Sequence, residues 1–129
     1  MSGAPKPAVG SIGWCDLTVP AADNVRDFYG AVVGWTSTDV DMGGYTDYVM
    51  NQPKDGTATT GVCWARGRNE GLPPVWLVYF VVASLDKSLA EVRLRGGVVL
   101  REPASSGGGR FAVVKDPAGA VCALYENGD

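Results

Sequence analysis

The chain has 129 residues, 46% of them hydrophobic and 19% charged, a balance that fits one globular domain burying roughly two-thirds of its unfolded surface. A net charge of −3 and a pI near 4.8, with Lys and Arg unclustered, argue against a nucleic-acid partner. No apolar run nears the roughly 18 residues that a membrane span needs, and Met1 to Gly10 is Pro/Gly-rich without a leader-like stretch. Neither membrane nor secretion is therefore expected. Cys15, Cys63 and Cys122 are odd in number, lie in strand-like runs and form no CxxC. They read as reduced thiols of a cytoplasmic protein.

Residues 12–19 (Ile-Gly-Trp-Cys-Asp-Leu-Thr-Val) predict a strand with two faces. Gly13, Cys15, Leu17 and Val19 make a small apolar face; Ile12, Trp14, Asp16 and Thr18 make a mixed one. A helix follows Pro20, with Val25, Phe28, Tyr29 and Val32 as its stripe and Gly34 as a left-handed stop. Three strands follow, Trp35 to Asp41, Tyr45 to Asn51 and Thr57 to Ala65, with turns at Gly43-Gly44 and Asp55-Gly56. Residues 67–74 break the pattern as a linker.

The pattern then restarts. Val75 to Val82 is a strand, Ser84 an N-cap, and Leu85, Leu89 and Val92 a helix stripe stopped by Gly96-Gly97. Val98 to Arg101, Arg110 to Lys115 and Ala120 to Tyr125 complete three more strands, the last pair joined at Asp116-Pro-Ala-Gly119. Moving the first half forward by 63 positions sets Val19 on Val82, Asp23 on Asp86 and Gly34 on Gly97. The expectation is an α+β domain over residues 8–127: a βαβββ module at 10–66, the linker, and a second module at 75–127. Each module folds as a curved mixed sheet with its helix outside, and the two sheets surround a central cavity.

Val19-Pro20 through Asp23 to Phe28-Tyr29 and Gly34-Trp35 resembles the opening of vicinal oxygen chelate proteins. That superfamily includes glyoxalase I, extradiol dioxygenases, methylmalonyl-CoA epimerase and bleomycin-resistance proteins. Gly109-Arg-Phe-Ala-Val-Val-Lys-Asp-Pro-Ala-Gly119 resembles the same superfamily's final hairpin. Together they cover nearly the whole chain, and they imply the fold more firmly than any one chemistry. Metal-dependent members place a His, Glu or Gln on each of four strands. The resemblance puts Trp14, Leu77 and Ala123 at three of those positions and Thr60 or Gly61 at the fourth. None is a competent ligand, and the chain has no histidine. No metal and no other cofactor is expected. Glu126 falls on the opposite strand face, as a solvated residue.

Alternation turns Trp14, Asp16 and Thr18, Gly61 and Cys63, Leu77, Tyr79 and Val81, and Val121, Ala123 and Tyr125 toward the cavity. Such an apolar, aromatic lining with few polar groups is usual for a small-molecule pocket. Asp16 is the sharpest candidate, either as an acid/base or cation-binding carboxylate or as a strand residue bonded to its neighbours. Cys63 has no His to activate it, and Cys15 and Cys122 read as packing residues. Gly107-Gly-Gly109-Arg110 leads into a strand rather than a helix, so it reads as a hairpin with Arg110 at the pocket rim. The expected function is metal-independent capture of an aromatic or amphipathic small molecule, as bleomycin-resistance proteins sequester their drug. The alternative is a metal-independent isomerase or lyase using Asp16; a metal-dependent lyase comes third. A homodimer is expected, its arm from Ala4 to Pro7 crossing the partner.

Overall fold

The computed structural model describes residues 6–128, so the Ala4–Pro7 arm lies partly outside the described residues. Two βαβββ sets follow one another. The first is β1 (Ile12–Val19), α1 (Ala22–Val33), β2 (Thr36–Asp41), β3 (Thr46–Asn51) and β4 (Ala58–Trp64). The second is β5 (Trp76–Val81), α2 (Leu85–Leu94), β6 (Val98–Ser106), β7 (Gly109–Lys115) and β8 (Val121–Glu126). The chain divides into two compact units: Cys15–Trp76, and the residues up to Trp14 together with Leu77 onward. The linker region, with a single 3-10 turn at Gly67–Asn69, belongs to the first of these.

In the Cys15–Trp76 unit, β1 runs parallel to β4, β4 antiparallel to β3, and β3 antiparallel to β2. The parallel pair is possible because α1 carries the chain across. Leu17 and Val19 of β1, Tyr48 and Met50 of β3 and Val62 of β4 form the core with Ala22 of α1. Val25 and Tyr29 pack against it. The helix ends at Gly34, where φ is 90° and the N–H donates to the Gly30 carbonyl at 3.0 Å. Only glycine adopts that backbone without strain. Half of the expected stripe is not buried: Phe28 is 57% and Val32 64% exposed. The row Ala22–Val25–Tyr29 takes the sheet contact, leaving Phe28 and Val32 beside it.

The other unit repeats the connections: β5 parallel to β8, β8 antiparallel to β7, and β7 antiparallel to β6. Ser84 Oγ accepts the Lys87 N–H at 3.3 Å and caps α2. Leu85 and Leu89 bury against Ala112 and Val114 of β7, with Cys122 and Leu124 of β8 packed around them. β6 runs to Ser106, five residues beyond the expected Arg101. Its register shifts between Val99 and Arg101 and again between Arg101 and Ala104. Pro103 falls within the second shift, where a missing N–H breaks no regular ladder.

Candidate functional site

Most of the residues proposed to line a pocket fall on strand faces turned away from the helices. In the unit containing β5 to β8, cross-strand register sets Tyr79 beside Ala123, Val81 beside Tyr125, Phe111 beside Tyr125 and Val113 beside Ala123. Leu77, Val81, Val113 and Ala123 are buried, while Tyr79, Phe111 and Tyr125 are half-buried. The Tyr79 and Phe111 rings lie 5.6 Å apart with 46° between their planes. A Cβ at Gly109 would collide with the Tyr125 hydroxyl and ring. The third glycine of the hairpin is thus a buried strand residue that makes room for Tyr125, and the turn itself uses Gly107 and Gly108, both at positive φ. The result is an apolar surface carrying three aromatic rings.

Three expectations for this unit are corrected. Arg110 pairs in register with Glu126 and lies on the α2 face, 3.5 Å from Asp86 Oδ1 and 3.7 Å from Glu126 Oε2. The arginine set beside the apolar face is Arg101, in register with Val113. Trp14 also differs. A Cβ at Gly13 would meet Val81 Cγ2 at 2.9 Å and Pro7 Cγ at 3.5 Å, so Gly13 shares Val81's side and alternation turns Trp14 away from it. Glu126 is no solvated bystander: its Oε1 accepts the Leu85 N–H at 2.7 Å and secures the first turn of α2.

In the Cys15–Trp76 unit the face opposite α1 is polar. Asp16 stands opposite Gly61 and Thr18 opposite Cys63, with Asp47 and Asn51 on the same side of β3. Asp47, only 6% exposed, accepts the Trp64 N–H at 2.9 Å, and Asn51 Nδ2 donates to Thr38 Oγ1 at 2.8 Å. Burial pushes the Cys63 thiol well above its ordinary value, and the Asp16 and Asp47 carboxylates beside it push further. Cys15 and Cys122 are also raised, chiefly by burial. All three thiols are free and none is poised as a nucleophile. Asp16 is half-buried, flanked within its unit by Thr18, Gly61 and Cys63.

Asp47 and Phe111 were missed in the sequence although alternation marks both. Asp47 follows from the buried Tyr48–Met50 face of its strand. Phe111 follows from the Asp-Pro-Ala-Gly turn, which sets it opposite Tyr125.

Register also relates the two modules at the position left between Thr60 and Gly61. Asp16 is to Gly61 as Tyr79 is to Ala123, so Gly61 is the repeat counterpart of Ala123. Trp14, Gly61, Leu77 and Ala123 supply no oxygen, nitrogen or thiolate donor of the kind a divalent ion takes. Among the described residues no group of three or more His, Cys, Asp or Glu is placed to hold a metal. The donor set does not fit the family's metal.

A model of the Glyoxalase/Bleomycin resistance protein/Dioxygenase superfamily matches residues 11–124, and the chain belongs to that superfamily. It is 33% identical to the anthracycline biosynthesis protein DauV of Streptomyces sp. strain C5, a match covering 94% of this chain and 48% of that protein. CFP32 of Mycobacterium tuberculosis is 36% identical, covering 91% of this chain and 44% of its own. The chain therefore spans about half the length of the curated relatives it matches. Methylmalonyl-CoA epimerase from Mycobacterium tuberculosis shares the fold at a TM-score of 0.58 and 14% identity, over 99% of this chain and 95% of that one. Among the described residues no helix is long and apolar enough to cross a membrane.

Proposed function

We propose that this protein binds an aromatic or amphipathic small molecule without a metal. The carrying observation is the face formed by Tyr79, Phe111, Tyr125 and their buried aliphatic neighbours, where rings stand over an apolar floor. Such surfaces stack planar ligands, and aromatic contacts add about 0.5–1.5 kcal/mol beyond area burial. A relative named for anthracycline biosynthesis fits this reading, since anthracyclines are planar fused-ring compounds. The protein works in the cytoplasm with its thiols reduced, and as a homodimer.

A second reading, metal-independent isomerisation or lysis with Asp16 as acid or base, is favoured by one observation. Asp47 lies on the same face, so a second carboxylate accompanies Asp16 around Cys63. Two carboxylates on one face could divide the acid and base roles of such a reaction.

A thermal-shift screen of planar aromatic compounds in the presence of EDTA tests the binding proposal. A ligand at a hundredfold excess over its Kd should stabilise by about 2.7 kcal/mol. Stabilisation that appears only when a divalent metal is added back would refute it.

A further inference from the structure

We infer a second binding site, on the outer side of α2, for a small apolar carboxylate. A groove of about 410 Å³ runs between α2 and the end of β7, away from the aromatic face. Its apolar lining comes from Val92, Val114 and Pro117. It stays open at one end because position 97 is glycine: a Cβ there would meet Val92 Cγ1 and the Lys115 carbonyl, each at 2.9 Å.

Charge selects the occupant. Lys87 and Lys115 border the groove, and among the described residues their ammonium groups have no hydrogen bond or ion pair. The remaining cation, Arg95, is matched by Glu91 at 3.1 Å. The exposed Asp116 carboxylate accepts the Ala118 and Ala120 N–H groups of its own turn at 2.8 and 3.0 Å. What is left at the rim is two lysine ammonium groups against one hydrogen-bonded carboxylate, a net positive edge beside an apolar trough. An aliphatic or aryl chain can lie on Val92, Val114 and Pro117 while its carboxylate meets the lysines. A cation of the same length would gain the apolar contact and lose the charge match. Nothing here depends on the function proposed for the aromatic face.

The test is a titration of the intact chain with decanoate, followed by the valine methyl resonances. The site predicts saturable shifts at Val92 and Val114. Lys87→Ser and Lys115→Ser should each weaken binding by about two- to fivefold, the range of exposed charge pairs. Decyltrimethylammonium should bind more weakly than decanoate. Ser88→Phe, which fills the groove from α2, should abolish the shifts while leaving the melting temperature near that of the wild type. Equal binding of the cation, lysine variants that bind like the wild type, or shifts confined to Val81 and Val113 of the aromatic face would each overturn the inference.

Discussion

At the residue scale, the aromatic rings and the acidic face make separable predictions. Tyr79→Ala and Phe111→Ala should each weaken aromatic-ligand binding by about three- to tenfold, the worth of one stacking contact. Calorimetric titration set beside melting temperature checks this; a large loss of stability with unchanged affinity would make them packing residues instead. Asp16→Asn is nearly isosteric, so a binder of neutral aromatics should tolerate it and a catalyst using Asp16 should not. Cys63 makes a pH prediction. Its folded pKa is raised by burial and by Asp16 and Asp47, so folding favours the protonated thiol. The stability this confers is complete below the ordinary thiol value near 9 and is lost progressively as pH rises above it. Cys63→Ala should flatten the alkaline limb of a stability–pH profile; an unchanged limb would contradict the assignment. Alternation made most of this face legible, as with Gly61 and Cys63. Trp14 was misplaced because a close contact between Gly13 and Val81 cannot be seen in a string of residues.

At the element scale, α2 is held at its start by two acceptors, Ser84 Oγ and Glu126 Oε1. Glu126→Ala should cost about 1 kcal/mol, the usual worth of a lost helix-end acceptor, and Glu126→Gln should recover much of it, as chemical denaturation would show. An equal loss in both variants would mean that the charge toward Arg110, and not the hydrogen bond, matters. The periodic stripes, the Ser84 cap and the Gly34 stop were legible because each rests on local chemistry. The length of β6 was not. Pro103 reads as a strand end until the register shifts around it are known, and those arise from pairing with a distant segment. Phe28 and Val32 also looked like core, since a stripe gives the apolar side of a helix but not the width of the sheet that meets it.

At the scale of the whole molecule, the repeat at 63-residue spacing and the two terminal motifs were enough to expect two βαβββ sets, and the strand pairings repeat between them. Side-chain type alone argues against coordination at Trp14, Leu77 and Ala123. Assembly was less legible: the sequence pattern says which faces are apolar, and pairing with another copy depends on shape. Light scattering at micromolar concentration should give twice the chain mass; a monomer would contradict the proposed dimer.

Metal-independent aromatic binding is tested most directly by one calorimetric titration. Wild-type protein and Tyr79→Ala are dialysed against EDTA and titrated with a planar fused-ring aromatic. The expected result is saturable binding by the metal-stripped wild type and a three- to tenfold weaker Kd for the variant. No binding until zinc or another divalent ion is restored, or identical affinity in the two proteins, would contradict it.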